Sequence, residues 1–162
     1  MNKIIVVAGV SLVLIYFAYS LIKKRKTNEG FVIAKQIKFD ELSNQIDLLL
    51  KNKLEYDFFG ITSNGIDCIY FMNDEGVIQI DFEVMIDEQK NYIEKYKYFA
   101  ESHNYAVEML SYGNMSQFND INEAVVYRIV LNADKELATE IGVEIQKDVF
   151  KNNATSTFDV VP

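Results

Sequence analysis

Cys68 and His103 are the only cysteine and the only histidine of the chain, so they are its only possible thiol–imidazole pair for nucleophilic catalysis. Cys68 lies inside a predicted strand, with Ile66 and Tyr70 on its own face, where a thiol packs as a small hydrophobic group. His103 continues the apolar stripe of a predicted helix near the end where the dipole favours a protonated ring. Because a reactive cysteine needs partial exposure and nearby positive charge, the sequence favours structural roles for both residues.

Asp81 and Glu83 form a second candidate site, because residues two apart on a strand share one face at roughly 6.5–7 Å. Asp87 and Glu88 follow near the end of the same predicted strand. Such carboxylates could act as general acid and base or bind a hard cation. However, no glycine-spaced calcium loop, phosphate-binding loop, dinucleotide fingerprint, nucleophile elbow or zinc-binding helix motif accompanies them. Alternating acids are typical of a solvated sheet face, so we expect no catalytic residue, no metal and no cofactor.

The composition excludes other classes of protein. The chain has 162 residues, which favours one domain, and a formal net charge of −8. Five of its 16 basic residues lie within residues 1–26, which contain no acid, so residues 27–162 carry −13. Because nucleic-acid-binding proteins present clustered Lys and Arg, we expect no nucleic-acid partner. With one cysteine and one histidine, an intrachain disulfide and a Cys/His zinc cluster are excluded.

Residues 4–22 form an uncharged apolar run of 19 residues. Its only small polar residues are Ser11 and Ser20. As a helix, the run would be roughly 28 Å long, which is close to the roughly 30 Å hydrocarbon core of a bilayer. A cleaved signal peptide is the alternative, since Ala18-Tyr19-Ser20 resembles a cleavage site. The basic block that follows almost at once resists export, so the sequence favours an uncleaved, single-pass transmembrane helix.

The basic block consists of Lys23, Lys24, Arg25 and Lys26, whereas Lys3 is the only basic side chain before the apolar run. The positive-inside rule therefore predicts an inner or plasma membrane protein whose N-terminus is outside and whose soluble domain is cytoplasmic. The same four residues can hold this flank against anionic lipid. We thus divide the chain into an anchor with its flank (1–26), a linker or arm (27–38), a domain (39–151) and a flexible tail (152–162).

Hydrophobic periodicity predicts an α+β domain in the order α-β-β-β-α-β-β-α, with an antiparallel sheet and helices on one face. Residues 31–37 fit either an extended arm or a helical lead-in. Asn64-Gly65 predicts a tight hairpin turn, and Gly76 suits a left-handed position in the next turn. The predicted helices span 39–54, 87–103 and about 134–151, and the predicted strands span 58–62, 66–72, 77–86, 105–112 and 124–131.

This order of elements resembles the bacterial type III secretion chaperones, also called Tir-chaperone-like domains, over residues 39–151. Phe39-Asp40-Glu41-Leu42 opens the first helix as such domains often do, and Asn73-Asp74-Glu75-Gly76 matches their central hairpin. The resemblance implies a small acidic module that binds extended partner segments, often as a homodimer, and performs no chemistry. Because the family is normally soluble, the membrane helix departs from its pattern, and only the fold and the binding habit are carried over.

A polar loop at 113–123 contains three large apolar residues, Met115, Phe118 and Ile121. Apolar and aromatic side chains in such a setting are typical of interfaces, so we expect them to contact a protein partner. The leading hypothesis is therefore a membrane-anchored adaptor or chaperone-like module without catalytic activity. The alternatives are an exported-side subunit of an envelope assembly, and an enzyme that uses Asp81 and Glu83.

Overall fold

Seven strands and three α-helices form the part of the chain that the computed structural model describes, residues 36–111 and 125–162. The strands are β1 (Gln36–Ile37), β2 (Phe58–Thr62), β3 (Ile69–Asp74), β4 (Val77–Val84), β5 (Ala106–Ser111), β6 (Val125–Ala133) and β7 (Phe158–Val161). The helices are α1 (Leu42–Leu50), α2 (Ile93–Ser102) and α3 (Lys135–Glu144). The strands form one antiparallel sheet in the order β1-β7-β2-β3-β4-β6-β5. The predicted α+β class and antiparallel sheet are confirmed.

One face of the sheet forms the hydrophobic core together with the helices. Strand β4 shows the alternation most clearly, because Ile78, Ile80 and Phe82 point into the core and are fully buried. Neighbouring strands continue this face through cross-strand pairs such as Phe71 with Ile80 and Ile80 with Ile129. The same face therefore runs across the middle of the sheet. The predicted alternation is confirmed for these three side chains, but Gln79 and Asp81 on the other face are buried, and Ile86 lies beyond the end of β4 and is exposed.

Each helix buries a single stripe against that face, as predicted. The buried apolar side chains of the helices are Leu42, Ile46 and Leu49 of α1, Tyr96, Phe99 and Ala100 of α2, and Ala138 and Ile141 of α3. Gly142 allows α3 to approach β3 closely, because an added Cβ would lie 2.5 Å from Cζ of Phe71. The helix begins where expected, since the Asp134 side chain accepts a hydrogen bond of 2.9 Å from the Leu137 amide.

Irregular turns extend the helices towards their predicted limits. Short 3₁₀ turns, Phe39–Glu41 and Asp87–Tyr92, precede α1 and α2, and a π-helical turn, Ile145–Val149, continues α3. Asn104, two residues after the end of α2, has a φ of 60°, the left-handed conformation that is common where helices end.

The connection between β2 and β3 differs from the predicted tight turn at Asn64-Gly65. Residues 63–68 separate the two strands, and although Gly65 has a φ of 80°, Asn64 is not in the left-handed region that such a turn requires. Asp67 explains the wider loop, because its carboxylate accepts hydrogen bonds from Thr62 and Ser63. The next turn matches the prediction, with Glu75 and Gly76 at φ values of 52° and 96° between paired Asp74 and Val77.

The predicted flexible tail is wrong for Phe158–Val161, which form β7 between β1 and β2. Phe158 is 1% exposed, and its ring centroid lies 4.8 Å from that of Phe39. Burial of this ring and pairing on both sides explain why the segment is ordered. Strand β1 shows that residues 36 and 37 of the predicted linker are extended.

The predicted anchor (residues 4–22) and its basic flank lie outside the described residues. So do residues 112–124, which include the predicted contact loop. In the described ranges, no helix combines the length and the hydrophobicity that crossing a bilayer requires.

Candidate functional site

The face of the sheet opposite the core carries a buried ion pair between β4 and β6. Asp81 lies directly across from Arg128, and its side chain is 3% exposed. The guanidinium donates through Nε to Oδ1 at 2.7 Å and through Nη2 to Oδ2 at 2.8 Å. This bidentate geometry is the strong form of a carboxylate–arginine contact. The expectation that the acids on this face are merely solvated is therefore wrong for Asp81.

Glu83 lies two residues further along β4 on the same face, and it is only partly exposed. The residue across from Glu83 on β6 is Val126, whereas the residue across from Asp81 is Arg128. Glu83 therefore lacks the cross-strand arginine that Asp81 has. Within the described ranges, no hydrogen bond or ion pair reaches the Glu83 carboxylate. Burial, and secondly the negative charge of Asp81, raise the pKa of Glu83 above its ordinary value.

A pocket of about 280 Å³ lies over these carboxylates. Its lining residues are Asp57, Phe58, Tyr70, Met72, Asp81, Glu83 and Val126. The strand register brings them together, since Phe58 pairs with Met72 and Tyr70 pairs with Asp81. Pockets for drug-sized ligands range from about 300 to 1,000 Å³, so this one suits a single side chain or a small group.

Cys68 directly precedes β3 and does not lie inside a strand as predicted, whereas Tyr70 is part of β3 and lines the pocket. Cys68 is 7% exposed, and burial raises the pKa of its thiol to about 12. Burial likewise raises the pKa of the Tyr70 phenol above its ordinary value. A thiol in this setting stays protonated at neutral pH, so the predicted structural role of Cys68 is supported.

His103 does not contact Cys68. It follows the end of α2, where its Nδ1 lies 2.8 Å from the Phe99 carbonyl oxygen. Its Nε2 lies 3.8 Å from a carboxylate oxygen of Glu144 on α3. Cys68 and His103 therefore contact different neighbours, and the structure does not bring the thiol and the imidazole together.

A buried polar cluster around Asp67 links the β2–β3 loop to the segment after α3. Besides the Thr62 and Ser63 contacts, Asn152 Nδ2 donates to the carboxylate at 2.5 Å, and Gln146 Nε2 donates to the Asp67 backbone oxygen at 2.9 Å. Burial raises the pKa of Asp67, but the hydrogen bonds from Ser63, Thr62 and Asn152 outweigh it, so the pKa lies below its ordinary value. Its carboxylate is satisfied from within the fold, which indicates a structural role.

Sequence reasoning missed Arg128 and Asn152, because each meets its partner across a long stretch of chain. Arg128 could have been considered as a partner for Asp81 only if the pairing of β4 with β6 had been known. Asn152 lies in the predicted flexible tail, but its side-chain amide donates a hydrogen bond to the Asp67 carboxylate. No signal within either local segment indicates these contacts.

The predicted contact residues Met115, Phe118 and Ile121 fall outside the described residues, as do Lys23, Lys24, Arg25 and Lys26. Across residues 36–111 and 125–162, no group of three or more His, Cys, Asp or Glu side chains is arranged to hold a metal ion. The pocket on the sheet face is the candidate site because it brings together Asp81 and Glu83, the acids that the sequence singles out.

No protein-family model, curated protein or solved structure matches the chain.

Proposed function

We propose that the chain is a protein-binding module, an adaptor or chaperone-like domain without catalytic activity, held at a membrane by residues 4–22. The uncharged apolar run and the four basic residues after it support the membrane part of this proposal. By the positive-inside rule, the domain faces the cytoplasm from the inner or plasma membrane. An anchored domain of this kind raises the effective concentration of its partner at the membrane surface.

The pocket on the sheet face is the observation that carries the binding function. Its walls include Phe58, Tyr70 and Met72, which are residue types that supply large contact areas at protein interfaces. Its volume suits a single protein side chain and is small for a nucleotide cofactor. A partner segment that crosses the sheet face would place a side chain in this pocket. The loop with Met115, Phe118 and Ile121 remains a second proposed contact, and a homodimer remains a proposed assembly.

The chemistry of the same face favours binding over catalysis. An acid–base mechanism with Asp81 and Glu83 needs two carboxylates that can exchange protons, but both oxygens of Asp81 are engaged by Arg128. The nearby thiol of Cys68 has a pKa of about 12 and is buried. Of Asp81, Glu83 and Cys68, only Glu83 has a raised pKa and a carboxylate that Arg128 does not engage. It therefore has no second carboxylate in the pair with which to exchange protons.

Site-specific photocrosslinking in the full-length chain tests the proposal in the membranes of its own cells. A photoreactive residue replaces Met72 in the pocket, and the matched control replaces Glu140, which is exposed on α3. We expect a discrete crosslinked protein from position 72 that is absent from position 140. No adduct from position 72, or the same adducts from both positions, would contradict a binding site on the sheet face.

The enzyme alternative makes a different prediction for the same residues. A carboxylate-dependent activity would be lost in Glu83→Gln while the variant stays folded, and it would be unaffected by photocrosslinker placement on α3. The raised pKa of Glu83 is the observation that favours this alternative. The exported-side alternative keeps the binding function and reverses the orientation of the chain.

A further inference from the structure

The two carboxylates in the pocket differ in how their charge is balanced. Asp81 has its counter-charge within the fold, because Arg128 binds both of its oxygens. Glu83 has no hydrogen-bond or ion-pair partner in the part of the chain that the structure describes. Asp57 also lines the pocket, is exposed, and adds a further negative charge. The pocket thus carries an excess of negative charge at Glu83.

A half-buried carboxylate without a counter-charge is unfavourable, since desolvation is not offset by an attractive partner. Burial and the charge of Asp81 both act in this direction on Glu83. A cation that entered the pocket would offset both effects at once. The fold therefore has a place where a positively charged group binds more favourably than a neutral group of the same shape.

The aromatic walls distinguish one kind of cation from another. The ring centroids of Phe58 and Tyr70 lie 6.2 Å apart, with the ring planes inclined at 60°. A planar guanidinium can lie against aromatic faces and bind a carboxylate through two nitrogens, whereas an ammonium is a compact and strongly hydrated charge. Met72 and Val126 complete an apolar wall that suits the methylene stem of a long side chain.

We propose that this pocket receives an arginine side chain of the partner protein, whose guanidinium binds the Glu83 carboxylate and lies against Phe58 and Tyr70. The proposal rests on the protein-binding function above and specifies the partner as a segment with an arginine between apolar residues. About 280 Å³ accommodates one such side chain, and the acidic domain around it favours a basic partner.

Three synthetic peptides test the proposal against the full-length chain in nonionic detergent micelles. They are acetyl-Leu-Arg-Leu-amide, the same peptide with neutral citrulline in place of arginine, and the same peptide with lysine. Dissociation constants are measured by NMR titration of the β3 and β4 signals. We expect the arginine peptide to bind at least about tenfold more tightly than the citrulline peptide, because a hydrogen-bonded charge pair is lost in the latter.

Glu83→Gln should abolish the preference for arginine over citrulline. The matched control, Glu88→Gln, changes an exposed acid that does not line the pocket and should leave the preference intact. Thermal melting of both variants establishes that they remain folded. Equal binding of the arginine and citrulline peptides, equal binding of the arginine and lysine peptides, or an arginine preference that survives Glu83→Gln would overturn the proposal.

The photocrosslinking result separates this inference from the proposed function. A specific adduct at position 72 without an arginine preference would reject the arginine site and keep the protein-binding function. Absence of both would reject the two together.

Discussion

Strand register gives two neighbouring acids opposite environments. Asp81 and Glu83 are close in type and lie on one face of β4, but the residue across the strand is Arg128 for the first and Val126 for the second. The first carboxylate is consequently held in a bidentate ion pair, and the second stays half-buried with a raised pKa. A local pattern of alternating acids predicts that the two share a face, and it cannot predict which of them has a counter-charge 47 residues away.

Glu83→Gln should stabilise the folded protein at neutral pH. The pKa of Glu83 is raised by folding, so the folded state binds the proton more tightly than the unfolded state does. The stability from this group is fully present below the unfolded pKa and is lost as pH rises through the folded pKa. Removing the charge avoids that loss, by no more than about 1 kcal/mol because solvent screens a half-exposed group.

Thermal melting at pH 7 and at pH 4 measures this effect. We expect Glu83→Gln to melt higher than the unaltered chain at pH 7, with a smaller difference at pH 4, and Glu88→Gln to show no difference at either pH. A lower melting temperature of Glu83→Gln at pH 7 would mean that the Glu83 carboxylate stabilises the fold instead.

At the scale of elements, the long periodic segments were predictable and the short ones were not. The three helices and strands β2 to β6 were predicted from stripes and alternation, because each has several apolar residues at a fixed spacing. Strands β1 and β7 have two and four residues, too few to define a period. They exist because each pairs with the other and because β7 also pairs with β2, which are contacts between distant parts of the chain.

Phe158→Ala should destabilise the protein by about 3–5 kcal/mol, because it removes a fully buried aromatic ring from the core. Thr157→Ala is the matched control, since the neighbouring threonine is exposed and should change stability by less than about 0.5 kcal/mol. Chemical denaturation of both variants measures the free energy of unfolding. A loss below about 1 kcal/mol for Phe158→Ala would mean that this segment is only loosely held, as the flexible-tail interpretation requires.

On the scale of the whole molecule, charge is divided between a basic flank and an acidic remainder. Residues 1–26 carry five basic side chains and no acid, whereas residues 27–162 carry −13. This division could be obtained from the sequence because it needs no knowledge of contacts. The proposed orientation, with the N-terminus outside and the domain in the cytoplasm, depends on where the bases lie within residues 1–26, because four follow the apolar run and only Lys3 precedes it.

An alkaline phosphatase fused after Pro162 should be inactive in cells, because the enzyme folds only after export. Exchanging Lys23, Lys24, Arg25 and Lys26 for glutamine should raise the activity, since the basic block is what retains this side of the membrane segment. Phosphatase activity, normalised to the amount of fusion protein, provides the measurement. High activity of the unaltered fusion would instead support the exported-side alternative.

The pairing of β1 with β7 also determines the order in which the sheet can assemble. Among the described residues, β1 pairs only with β7, and Gln36 and Asp159 are 123 positions apart. On a ribosome, β1 emerges long before its only neighbour in the sheet has been synthesised. Strand β1 therefore stays unpaired during the time in which β2, β3 and β4 can already form a meander. Sheet completion is therefore a late event of biogenesis, and a nascent chain that stops before residue 158 exposes the free edge of β2 to other polypeptides.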